Sequence, residues 1–139
     1  MKRLIYSAGI IFLLIACSCR NSGNNTQSAQ NTLNYAGIYE GTIPCADCPG
    51  IDLSLILHYD GNYTKKMIYQ DREPDNIFST SGEFLWDDTG TIITLTNEAD
   101  GEKFKVTEGA LLMLDAEGNE ITGEYADMYR IKQVATVQK

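Results

Sequence analysis

From Tyr35 onward, apolar and polar residues alternate in short runs, each closed by a turn signal, and no stretch of ten residues keeps a helical period. A first strand ends near Ile43. Ile51, Leu53, Leu55, Leu57 and Tyr59 share one face of a second, and Asp60-Gly61-Asn62 turns the chain into Tyr63 to Tyr69 as a hairpin. A polar loop around Asp71-Arg72-Glu73-Pro74-Asp75 precedes predicted strands over 78–86, 91–96 and 103–107, with Asp87-Asp88-Thr89-Gly90 and Ala99-Asp100-Gly101 between them. Leu111-Leu112-Met113-Leu114, the turn Asp115-Ala116-Glu117-Gly118-Asn119, and runs over 120–123 and 125–133 complete the series. About eight strands at spacings of roughly ten residues predict an all-β domain, an antiparallel meander over 35–139. An open meander leaves two edges able to recruit other chains, so closure into a small up-and-down β-barrel is expected, ahead of a β-sandwich that the same alternation would serve.

The N-terminal part obeys a different pattern. Lys2 and Arg3 precede an uncharged run over 4–16 that is rich in Ile and Leu, which is the layout of a secretory signal. At about 1.5 Å per helical residue the run covers roughly 20 Å, short of the ~30 Å hydrocarbon core of a bilayer, so residues 1–16 are read as a removable leader. Leu14-Ile15-Ala16-Cys17 looks like the processing site of a bacterial lipoprotein. That likeness implies a diacylglycerol, and usually a further chain such as palmitate, on Cys17. Residues 17–34 are polar and nearly free of large apolar groups, so they read as a flexible tether, spanning on the order of 20–25 Å. Ser18 rather than aspartate after the lipidated cysteine favours the outer membrane, with the body facing the periplasm or, alternatively, exposed on the cell surface.

Charge narrows the partners. The chain carries 11 Lys+Arg against 19 Asp+Glu, for a net charge of −8. An acidic surface repels phosphate backbones and anionic headgroups, so nucleic acid is not an expected partner and membrane attachment is left to the lipid. The body is expected to be a monomer, with room for one modest core. Eight tyrosines, among them Tyr59, Tyr63, Tyr69, Tyr125 and Tyr129, suit strand packing. They would also suit an aromatic barrel mouth holding a small apolar ligand.

The chemically loaded segment is Pro44-Cys45-Ala46-Asp47-Cys48-Pro49-Gly50, between two predicted strands. Thioredoxin-like thiol exchange requires a helix starting at the first cysteine, and a strand follows instead. Two thiolates suit a soft ion such as Cu(I), whereas a closed zinc site needs four ligands and no second cysteine pair is present. Met67, Met113, Met128 and His58 are further soft or borderline donors that nothing in their spacing brings to this loop. Methionines on strands usually serve the core, and His58 shares the polar face of its strand with Asp52 and Ser54. A local disulfide in an oxidising compartment is the third reading of Cys45 and Cys48. Cys19 is left without an assigned role.

Tyr39-Glu40-Gly41-Thr42-Ile43-Pro44-Cys45-Ala46-Asp47-Cys48-Pro49-Gly50-Ile51, with Leu55-Ile56-Leu57 and Asp60-Gly61-Asn62-Tyr63, resembles the N-terminal domain of the NlpE copper-resistance and envelope-stress lipoproteins. The likeness continues through Gly82-Glu83-Phe84, Ile92-Ile93-Thr94-Leu95 and Leu112-Met113-Leu114-Asp115-Ala116-Glu117-Gly118. It implies a lipocalin-like barrel on an outer-membrane lipoprotein linked to copper homeostasis, surface sensing and envelope stress, with an envelope sensor as partner. Only Cys17, Cys45 and Cys48 carry over residue by residue. Better-known members append a second domain with a further disulfide, so the implication is confined here to the barrel. The expected function is non-enzymatic, with no required cofactor and copper(I) as the candidate ion. Carriage of a small apolar ligand and envelope thiol oxidoreduction are the alternatives.

Overall fold

Alternating side chains put one face of every strand toward a common interior. In the computed structural model, which describes residues 28–72, 76–98 and 101–139, the strands close around it. The eight are β1 (Gly37–Ile43), β2 (Ile51–Leu57), β3 (Asn62–Tyr69), β4 (Ile77–Trp86), β5 (Ile92–Leu95), β6 (Lys103–Thr107), β7 (Ala110–Met113) and β8 (Arg130–Thr136). Each pairs antiparallel with the next, and β8 returns to β1 through a register shift at Ile38/Tyr39. The predicted meander is therefore a closed barrel. Cys17, Cys19, the leader and the first part of the tether lie outside the described residues.

The interior is filled by inward-facing residues of the strands. Tyr39, Leu55, Leu57, Ile93, Leu95, Phe104, Leu111 and Ile131 are fully buried, with Leu53, Tyr63, Phe84 and Val106 nearly so. Two tyrosines thus serve packing. Tyr39 Oη donates to the carbonyl of Tyr35 at 2.7 Å, and burial, with a smaller contribution from Tyr59, pushes its phenol up to about 12. A groove of about 500 Å³ lies on the outer wall, along Glu40, Thr42, Asp52 and Lys66, rather than within the barrel.

The up-and-down order gives the barrel two unlike ends. One carries the tight turns β2–β3, β4–β5 and β6–β7, and the other the longer connections β1–β2, β3–β4, β5–β6 and β7–β8. At the short-turn end the structure corrects part of the tether: residues 28–33 of the segment expected to be flexible over 17–34 are docked on the barrel. Helix α1 (Ala29–Thr32) sits there with Ala29 buried and Leu33 against the core, while Ser28 Oγ and the Gln30 N–H both donate to the Gly90 carbonyl at 3.0 Å. Gly90 permits this approach. Its φ is +64°, and a Cβ there would lie 2.1 Å from Ser28 Oγ. Tyr35 extends the seal, stacking edge-to-face on Trp86 at 5.0 Å and Tyr59 at 5.6 Å.

The last connection also departs from expectation. The run over 120–123 makes a single bridge, Leu114 to Glu120, and the strand expected over 125–133 begins only at Arg130. Gly123, at φ +110°, turns the chain aside. Ala126–Tyr129 then forms a 3-10 helix.

Candidate metal and redox site

The β1–β2 connection stands at the long-loop end, and its local sequence shapes it. Pro44 ends β1 by removing a ladder donor, and Gly50 opens β2 where a Cβ would lie 2.7 Å from Thr42 Cγ2. The loop is tied to its neighbour by the Gln70 N–H on the Gly50 carbonyl at 3.0 Å. Asp52 accepts from Thr42 Oγ1 at 2.7 Å and from Gln70 Nε2 at 3.0 Å. Arg72 closes the arrangement from the β3–β4 side, pairing with Asp47 and lying 5.3 Å from the Tyr69 ring centroid. Both partners of that ion pair are exposed, so it orients the loop while contributing at most about 1 kcal/mol.

Cys45 and Cys48 are joined as a disulfide with Cα atoms 5.3 Å apart, half-buried and packed against the barrel core. The closed loop is short, with a sequence separation of 3. Reduction should therefore lower the unfolding free energy by about 2 kcal/mol, near the low end for disulfides. Urea curves with and without reductant check this; a loss above about 4 kcal/mol would show that the bridge holds the barrel together. The third reading of the cysteine pair is thus the state in the structure.

The surroundings decide what the reduced pair can do. Cys45 Sγ lies 3.6 Å from Asp47 Oδ1 and Cys48 Sγ 3.3 Å from the Gly50 carbonyl. Both neighbours accept a thiol proton and neither donates to a thiolate. The chain continues into β2 with no helix N-terminus at Cys45, so the arrangement that activates a thioredoxin-type nucleophile is absent from this loop. As a metal site the donors are well gathered: one ligand atom each from Cys45, Asp47 and Cys48 lie within 4.8 Å of one another. Two soft sulfurs with one exposed carboxylate match Cu(I) better than zinc.

The other candidate donors divide. Met67 and Met113 pack against the core, and His58 sits at the opposite end, where its N–H closes the β2–β3 turn on the Asn62 carbonyl at 3.0 Å. Met128 comes to the cysteine loop, lining a cleft with Pro44, Cys45, Pro49 and Tyr125. The sequence carried no signal for that meeting.

A buried cation also escaped the sequence reading. Lys65 projects from β3 into the barrel between Tyr63 and Met67, 1% exposed, with Nζ 2.8 Å from both Glu98 Oε2 and Glu102 Oε2. Tyr63 Oη donates to Glu98 Oε1 at 3.4 Å, and burial together with Glu98 raises its phenol above the ordinary range. Period-2 parity was the available signal, since a lysine occupies the face that Tyr63 and Met67 share.

An eight-stranded, closed, up-and-down barrel with a Cys-x-x-Cys loop at its long-loop mouth defines a small lipocalin-like domain. Residues 39–124 match the NlpE N-terminal domain, and the chain belongs to that family. It is 31% identical over 131 residues to Lipoprotein NlpE of Escherichia coli K12, covering 89% of this chain and 54% of that protein, so it spans about half the relative's length. A 17 kDa lipoprotein of Treponema pallidum is 34% identical over 55 residues, 38% of this chain and 35% of its own. Among solved structures, a lipoprotein from Shewanella oneidensis superposes with a TM-score of 0.71 at 44% identity, over 78% of this chain and 96% of that one. The Escherichia coli Cpx pathway activator NlpE superposes with a TM-score of 0.54 at 30% identity, over 64% of this chain and 47% of that one.

Proposed function

We propose that this chain is a non-enzymatic outer-membrane lipoprotein, anchored through Cys17, whose barrel presents Cys45 and Cys48 as a copper(I)- and redox-responsive pair and reports on envelope stress. The observation that carries the reading is the gathering of two half-buried sulfurs and Asp47 on one short loop at the barrel mouth. Opening the bridge consumes two electrons and two protons from a dithiol reductant, which is itself oxidised to a disulfide, and leaves two thiols. Copper(I) supplies a soft centre for those sulfurs; the chain's part is to hold them together and release their protons. An envelope sensor as partner is supported by the Escherichia coli relative's being a Cpx pathway activator.

The test is a Cu(I) titration of the reduced full chain in detergent, read by competition with a chelator. Cys45→Ser/Cys48→Ser should abolish the competition. Affinity equal to wild type in that variant would remove these ligands from consideration.

A further inference from the structure

Between the cysteine loop and the 3-10 helix Ala126–Tyr129 runs a cleft of about 330 Å³, with Pro44, Cys45 and Pro49 on the loop side and Tyr125 and Met128 on the other. We infer that Met128 is the third soft ligand of the copper(I) site, so that reduced Cys45 and Cys48 and the Met128 thioether form a three-sulfur set. The inference rests on the Cu(I) reading proposed above and adds to it the specificity for that ion.

Four observations converge on Met128. Its side chain is 38% exposed, so the core does not consume its sulfur as it does those of Met67 and Met113. Met128 lines the same cleft as Cys45, on a one-turn helix, and its unbranched side chain has rotatable bonds enough to swing within that space. Asp47, the other gathered donor, offers a hard carboxylate oxygen that suits Cu(I) less well than a thioether does, and its Oδ2 engages Arg72. Lastly, a thioether brings a lone pair without charge: two thiolates with a monovalent ion already leave one negative charge, on a chain whose net charge is −8. A neutral sulfur completes the set without adding repulsion, and thiolate with thioether selects Cu(I) over the harder divalent ions. The step balances simply. Two thiol protons leave for solvent as the cysteine sulfurs take the ion, and Met128 donates a lone pair and releases nothing.

The experiment uses the full chain extracted in detergent, reduced with a phosphine and supplied with Cu(I) from a competing chelator. Met128→Leu keeps volume and apolarity at a partly exposed position, so its melting curve should match wild type. Its Cu(I) affinity should fall tenfold or more, since even residues beyond the ligand sphere shift metal affinity by roughly 10–100-fold. X-ray absorption should count three sulfurs around copper in wild type and two in the variant. In wild type labelled at the methionine methyls, Cu(I) should move the Met128 signal and leave those of Met67 and Met113 in place, a readout that needs no variant. An unchanged affinity with two sulfurs in both proteins would overturn the role of Met128 while leaving the cysteines as ligands. Wild-type affinity in Cys45→Ser/Cys48→Ser would overturn the copper reading itself.

Discussion

Cys17→Ala is expected to move the protein from the detergent phase to the aqueous phase on phase separation. Each acyl methylene buried in the bilayer contributes ~0.8 kcal/mol, so two or three chains hold the protein with no help from the barrel. The barrel itself offers an acidic surface that anionic headgroups repel. Loss of the thioether therefore removes the whole membrane affinity of processed copies, while copies that keep the leader retain its apolar run. The leader should stay attached in part of the population, because lipidation of the cysteine precedes cutting before it. The barrel should fold unchanged: the helix α1 that seals its short-turn end begins at Ala29, downstream of the substitution, and its hydrogen bonds to Gly90 are retained. A processed N-terminus with full membrane retention would overturn the anchor.

Lys65→Met should destabilise the barrel by about 3 kcal/mol. Truncating one partner of a buried ion cluster leaves the others uncompensated, a loss of roughly 3–5 kcal/mol when all members are fully buried. Here Glu98 and Glu102 keep 14% and 29% of their side-chain surface, so water reaches them and the effect belongs at the lower end. Two carboxylates that converged on one ammonium would then face each other and the Tyr63 hydroxyl. Lys65→Met/Glu98→Gln/Glu102→Gln should recover most of the stability, because the charges leave together. Urea denaturation at pH 7 of both variants measures the loss and its recovery. A loss below about 1 kcal/mol at pH 7 would mean that the triad is a screened surface cluster.

The two predictions depend on different distances along the chain, and so did what could be read in advance. The proposal for Cys17 rests on its immediate neighbours alone, because processing would act on a local segment. Lys65 is half legible. Its parity places it inside, but the carboxylates that make the interior tolerable stand on the β5–β6 connection, Glu102 being 37 residues away. The tether was read too long for the same reason. Ser28 to Leu33 look polar and structureless until Gly90, 62 residues from Ser28, supplies the carbonyl on which they dock.

What the sequence determined by itself is therefore local: strand positions from alternation, turns from glycine and its polar neighbours, and Cys45 and Cys48 on one short loop. These follow from side-chain direction and backbone sterics, which act over a few residues. Tertiary structure alone decided that β8 closes on β1 and that a 3-10 helix replaces the first residues of the strand expected over 125–133. It also decided that Arg72 meets Asp47, that Lys65 finds two carboxylates, and that Met128 rather than Met67, Met113 or His58 faces the cysteine loop. Those meetings depend on register summed around a closed barrel, where a shift of one residue in any strand would carry each side chain to the opposite face.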